Sequence, residues 1–131
     1  MIVDSSAIVA ILLREPGWER LVDLVATVDG PHGVGAPTLV ETGIVLVARV
    51  GVPGKSLLAR FVEEASMRVI DLTADHWTVA VGAYLRFGKG RHPAALNFGD
   101  CLTYAVAKLA AVPLLCLGND FAQTDLELVT I

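Results

Sequence analysis

Residues 1–13, MIVDSSAIVAILL, set a strand, a turn and a helix around one charge, Asp4. Met1–Val3 reads as a short buried strand, Ser5 or Ser6 offers an N-cap, and Ala7–Leu13 forms a helix that stops before Pro16. Outward from this unit the pattern repeats. Trp18, Leu21, Val22, Val25 and Val28 recur at helical spacing, and Val34–Ala36 forms a very short strand after the turn Gly30–Gly33. Pro37 suits the first turn of a helix from Thr38 to about Arg49, ended by Gly51. Leu57, Leu58, Phe61 and Val62 mark a further helix after Pro53-Gly54, and Met67–Leu72 alternates as a strand does. Thr73 caps a helix with apolar positions at Trp77, Val81 and Leu85. Asn97 caps another that runs to about Ala111. Val112–Leu117 is an apolar strand, Asn119–Thr124 a helical turn, and Leu126–Ile131 a last strand. Strands alternating with helices predict an α/β fold, a parallel sheet covered on both faces, with ligands beyond the strands' carboxyl ends.

A chain of 131 residues suffices for one core and is expected to be one domain, 1–131. Apolar residues make up 54% and mean hydropathy is +0.62, yet no run reaches the ~18 uninterrupted apolar residues of a membrane span. The start lacks the basic stretch and cleavage site of a signal peptide, so a cytoplasmic protein is expected, its surplus apolar surface meeting a partner. Cys101 and Cys116 are too few for a zinc site or disulfide framework and read as reduced core residues. His32, His76 and His92 lie far apart and read as loop or surface histidines. A net charge of −4 gives nucleic acid no global attraction. The local exception is RFGKGRHP, with Arg86, Lys89, Arg91 and His92: a solvated loop by default, a phosphate-contacting rim if it borders a nucleic-acid site.

Three carboxylates stand alone in stretches that should be buried. Asp4 is the only charge between Met1 and Leu13, Glu41 the only one in GVGAPTLVETGIVLVA, and Asp100 the only one in PAALNFGDCLTYAVA. An ionised carboxylate in low dielectric costs several kcal/mol unless paired, neutralised or bound to a metal. None has a neighbouring Lys or Arg. Asp4 and Asp100 each suit a helix cap, and taken singly that is their commoner role. Glu41 has no such explanation, and the three together point to a divalent cation. Asp120, in GND, is a further candidate that turn chemistry also explains, and Asp125 competes with it. Oxygen ligands without a His or Cys pattern suit Mg²⁺ or Mn²⁺. No Ser-His-Asp or Cys-His set, Walker loop or dinucleotide fingerprint competes.

MIVDSSA at the start, a lone Glu in the helix after the second strand, FGDC at a helix start and GNDF near the end resemble the PIN-domain ribonucleases. Among these, the pattern is similar to the VapC toxins of bacterial toxin–antitoxin pairs, over essentially the whole chain. The resemblance implies a three-layer α/β/α sandwich and a Mg²⁺- or Mn²⁺-dependent endoribonuclease. Asp4, Glu41 and Asp100 match the family's first three acids, Ser6 the small hydroxyl residue supporting the first, and Asp120 is assigned as the fourth. Many relatives carry that fourth acid where this chain has Gly118, and Asp125 is the other claimant. The implied chemistry places the metal on Asp4 and Asp100, with Glu41 holding it through water or orienting the attacking hydroxide. In-line attack on RNA would leave a 5′-phosphate and a 3′-hydroxyl. Ser6, Lys89 and Arg91 are the expected substrate contacts, with Arg86 beside them. The family also implies homodimers and a VapB-type antitoxin covering the acid site, with the apolar faces Trp18–Val28 and Leu57–Val62 suited to such contacts. The rival reading is a non-catalytic PIN-like module that binds RNA or protein through an incomplete metal site, which Gly118 favours. A receiver-type phosphotransfer domain is disfavoured, since no Lys follows Lys108.

Overall fold

Two-residue alternation in very short strands builds the three layers. The computed structural model describes residues 1–131. Its sheet has four parallel strands in the order β3-β2-β1-β4: Ile2–Val3 (β1), Gly33–Gly35 (β2), Arg68–Ile70 (β3) and Leu114–Leu115 (β4). Ile2 pairs with both Gly33 and Leu114, so β1 is central. Successive strand side chains point to opposite faces. Ile2 and Leu114 therefore enter one apolar core, and Val3 and Leu115 the other.

Helices Ser5–Leu12 (α1), Trp18–Thr27 (α2), Ala36–Val50 (α3) and Pro53–Glu64 (α4) supply the core around Val3, with Ile8, Leu21, Leu46 and Leu58. Ala74–Phe87 (α5) and Phe98–Ala110 (α6) supply the core around Ile2, with Ala83, Phe87, Tyr104 and Val106. This is the expected α/β/α sandwich. At Gly54 the backbones of α3 and α4 nearly touch: a Cβ there would lie 2.7 Å from the Leu46 carbonyl carbon.

Several expectations are corrected. The N-cap of α1 is Asp4, which accepts from the Ser6 amide, and not Ser5 or Ser6. Ala36 belongs to α3 rather than to β2, because Pro37 is readily housed in a first helical turn. Trp77, Val81 and Leu85 lie on the solvent side of α5, which turns His76, Ala80, Ala83 and Phe87 inward. Small alanines on the inner face let α5 lie close to α6, so the larger residues are left outside. His32, in the loop before β2 as expected, and His76, in α5, are both buried rather than at the surface. The His76 Nδ1 accepts from the Thr73 amide in a capping box, and the His32 Nε2 lies 3.0 Å from the Val25 carbonyl. The last strand shrinks to one bridge, Leu128 to Leu114.

Strand order reverses direction at β1: the chain passes to β2 on one side and β4 lies on the other. The crevice at the carboxyl ends of β1 and β4 is the topological switch point of this sheet. Asp4 follows β1 directly, and Cys116 to Asp120 follow β4.

Candidate active site

Asp4 is buried, 5% exposed, and its carboxylate is held on both oxygens. Oδ2 accepts from the Ser6 amide at 3.0 Å and the Ser6 hydroxyl at 2.6 Å. Oδ1 accepts from the Thr103 hydroxyl at 3.0 Å. The Ser6 hydroxyl in turn accepts from the Leu117 amide at 3.0 Å, tying α1 to the segment after β4.

Asp100 stands in the first turn of α6. Its amide donates to Asn97 Oδ1 at 2.9 Å, and its Oδ2 accepts from the Asn97 amide at 3.0 Å, a reciprocal capping box. One carboxylate oxygen is thus occupied by the cap and Oδ1 has no protein partner.

Glu41 departs from the sequence expectation, because it is exposed rather than buried. It lies one turn into α3, on the face that looks across at the start of α6. The Ser5 hydroxyl donates to its Oε1 at 2.7 Å. Its other oxygen lies against Gly99, where a Cβ would collide with it. A side chain at position 99 would displace this carboxylate from its place beside Asp100.

Asp120 is exposed in the turn between β4 and the 3₁₀ segment Phe121–Gln123, after Gly118 in a left-handed conformation, φ +84°.

Electrostatics join the four acids. The Asp100 carboxyl is pushed up to about 6, first by burial and then by the charges of Asp4, Asp120 and Glu41, against the lowering effect of its bond to Asn97. Burial and the charges of Asp4, Asp100 and Asp120 push the Cys116 thiol up to about 12. None of the ion pairs in the fold includes any of the four. They form an open crevice rather than a closed shell: no three His, Cys, Asp or Glu groups stand close enough to enclose an ion.

Asp125 is engaged elsewhere. It accepts from Tyr104 at 2.6 Å and Lys108 at 2.8 Å, and pairs with Arg86 at 3.4 Å. Those bonds hold its carboxyl at about 2, so it serves as an anchor between α6 and the C-terminal segment. Arg86 is correspondingly committed to Asp125 and not free beside Lys89 and Arg91. Both of those are exposed in the loop before α6; Arg91 donates to the Leu85 carbonyl and lies 5.8 Å from the Tyr84 ring centroid.

Sequence reading missed Thr103, the Ser5 contact to Glu41, and Gly99. The signals for the last two were present, as Ser5 adjoins Asp4 and Gly99 sits inside FGDC. Thr103 gave none, because a threonine one turn beyond Asp100 is ordinary in a helix.

The PIN domain family model matches residues 1–127. The chain belongs to the PIN-domain family. Among its relatives, VapC ribonuclease Mb2004c of Mycobacterium bovis is 49% identical over 129 residues, 97% of this chain and 91% of that protein. Of solved PIN-like structures, the sarcin-ricin loop cleaving toxin VapC20 of Mycobacterium tuberculosis superposes with a TM-score of 0.81 at 22% identity, over 98% of this chain and 97% of that one. A toxin–antitoxin complex from Klebsiella pneumoniae gives 0.73 at 15% identity, over 98% and 95%. At those identities the two structures speak for the PIN fold alone; the family rests on the sequence matches.

Proposed function

We infer that this chain is an endoribonuclease of the VapC type, an RNA-cleaving hydrolase that depends on a divalent metal and is neutralised by a VapB-type antitoxin. The observation that carries the reading is the placement of Asp4 and Asp120 after β1 and β4, at the switch point of the sheet, with Asp100 at the start of α6 and Glu41 against Gly99 beside it. The high identity to a VapC ribonuclease supports it over the non-catalytic alternative, which draws on the open spacing of the acids and on Gly118.

The donor set fits a hard divalent cation. It is all oxygen and carries surplus negative charge without a counter-cation. Asp4 and Asp100 would hold the ion, Glu41 and Asp120 would complete its surroundings, and Mg²⁺ or Mn²⁺ is the choice this chemistry favours. When bound, such an ion neutralises charge on a phosphodiester and acidifies a coordinated water. The chain's own residues do the positioning. Ser6 fixes Asp4 and the strand-end segment together, Asn97 fixes Asp100, and Ser5 with Gly99 fixes Glu41 across from it. Lys89 and Arg91 serve as phosphate contacts for RNA in this reading, supplying locally the attraction that a net charge of −4 denies.

No helix is long and apolar enough to cross a membrane; we assign the protein to the cytoplasm. For the antitoxin we assign the apolar groove between α3 and α4, about 820 Å³, which includes Val40, Ile44, Val47 and Leu58. The neighbouring apolar surface, with Leu72 and Phe98 exposed, we assign to a second copy in a homodimer. The test is RNA cleavage by purified protein with Mn²⁺, Mg²⁺ or EDTA, with and without the product of the adjacent antitoxin gene. Cleavage that EDTA leaves intact would reject the metal; folded protein that cuts no RNA with either ion would favour the binding-module alternative.

A further inference from the structure

Threonines 38, 103 and 42 form a polar seam inside the protein, 6%, 2% and 0% exposed respectively. Thr42 donates its hydroxyl to the Thr38 carbonyl at 2.7 Å within α3. The Thr38 and Thr103 hydroxyls lie 3.3 Å apart, bridging α3 and α6. A hydroxyl has one proton to give. Thr103 gives its proton to Asp4 Oδ1, so Thr38 must be the donor to Thr103. The seam therefore has a fixed direction, from Thr38 through Thr103 to Asp4.

An ionised carboxylate offers about four lone-pair sites. On Asp4, Oδ2 spends both of its own on the amide and hydroxyl of Ser6, and Oδ1 spends one on Thr103. One remains, on Oδ1. The bonds to Ser6 are local, set by the cap of α1, and would survive a small rotation of the carboxylate. The bond from Thr103 spans two elements and comes from the interior, so it alone fixes the remaining lone pair relative to α6, which also carries Asp100.

We propose that Thr103 is a positioning residue for the acid site: its interior hydroxyl, oriented by Thr38, holds Asp4 Oδ1 so that one unshared lone pair faces the cation-binding crevice. The proposal rests on the reading of the site as metal-binding and adds to it the residue that sets Asp4's orientation. Outer hydrogen bonds of this kind commonly contribute ~10–100-fold to metal affinity.

The experiment is calorimetric titration of EDTA-stripped protein with Mn²⁺ for the wild type, Thr103→Val, Thr103→Ser and Thr38→Val, alongside thermal melts without metal. Thr103→Val keeps the shape and deletes the donor, so its Mn²⁺ affinity falls ~10-fold or more. Thr103→Ser restores the hydroxyl and binds as the wild type does, and Thr38→Val, one bond further away, loses less than Thr103→Val. In cleavage assays the Mn²⁺ concentration for half-maximal rate rises in Thr103→Val while the KM for RNA at saturating Mn²⁺ holds, a split that loosened packing alone does not give. If valine prevents folding, Thr103→Ala removes the same hydroxyl with less steric demand. Wild-type affinity in a folded Thr103→Val or Thr103→Ala protein overturns the proposal, as does failure of serine to rescue. A folded wild type that binds no Mn²⁺ overturns the metal reading beneath it, which separates the two failures.

Discussion

Replacing Asp100 with Asn tests whether burial and the neighbouring acids together disfavour its charged form. Holding this carboxyl at about 6 in place of its ordinary 3.8 disfavours the charged, metal-free state by at most about 3 kcal/mol. Asp100 is partly open to water, and screening reduces the figure to about 1–2 kcal/mol. Against this, Asn gives up the favourable interaction of a negative charge with the start of α6, about 0.3–1 kcal/mol. The cap itself survives, since an amide oxygen can accept from the Asn97 amide. The expected net result is a metal-free protein about 0.5–1.5 kcal/mol more stable than the wild type at pH 7.5.

The pH dependence has a definite sign. Between about pH 4 and 6 the folded wild type keeps a proton on Asp100 that the unfolded chain has already released. Stability conferred by the acid form is therefore lost as pH rises through that window, and the penalty is complete above it. The Asn protein lacks this term, so its advantage at pH 7.5 vanishes near pH 4. Urea denaturation in EDTA at the two pH values measures it. Mn²⁺ then reverses the order: it should raise the midpoint of the wild type and leave Asp100→Asn nearly unmoved, while RNA cleavage falls on the order of 100-fold or more. An Asn protein less stable at pH 7.5 without metal would refute the cost assigned to the charged, part-buried Asp100, and one that keeps wild-type Mn²⁺ binding would refute its place in the metal site.

Asp120→Asn should weaken Mn²⁺ binding in calorimetry with little change in melting temperature. Asp125→Asn should do the opposite: unchanged metal binding and a loss of about 1 kcal/mol, discounted for an anchor whose side chain is 35% exposed. That loss should shrink as pH falls from about 4 to about 2, where the folded carboxyl takes up its proton. Replacing Lys89 and Arg91 together with Ala should weaken RNA binding and lower the slope of log affinity against log salt by about 1.4, two phosphate contacts on a single strand, with metal affinity unchanged in titration. Gly99→Ala should lower cleavage without lowering stability, since Ala favours a helix by about 1 kcal/mol while its methyl displaces the Glu41 carboxylate; a melt and a rate constant on the same sample check both.

Element order was legible because most helices carry their own cap or proline, Asp4 for α1, Pro37 for α3, Pro53 for α4, Thr73 for α5 and Asn97 for α6. What was not legible was orientation. Trp77, Val81 and Leu85 share a helix face that sequence marks as apolar, and only the close approach of α5 to α6 shows that the alanines on the other side are the inner face. Glu41 was found for a reason that the fold does not support. It is conspicuous among apolar neighbours, yet Val40 and Ile44 beside it are themselves exposed, so its isolation marks a surface that is apolar, not a core that is costly. The engagement of Asp125 was likewise not legible along the chain, because its partners Tyr104, Lys108 and Arg86 come from α5 and α6.

Asp4 and Asp100 show why capping and metal binding were hard to tell apart, and why the distinction is partly false. Asp4 caps α1 and Asp100 completes the capping box of α6, and each does so without using all its oxygen lone pairs. Asp4 Oδ2 accepts from the first turn of α1, and Asp100 Oδ2 accepts from the amide of the cap residue Asn97, which leaves Oδ1 of each with spare capacity. A cap is a bond that forms whenever the helix does. The two acids are therefore held in place by folding alone, and the burial and repulsion that raise Asp100 are present in the metal-free fold. Helix caps, together with the bond from Thr103, thus hold in place acids that electrostatics alone would scatter, and in the proposed reading a cation bound there would relieve a cost the fold has already accepted.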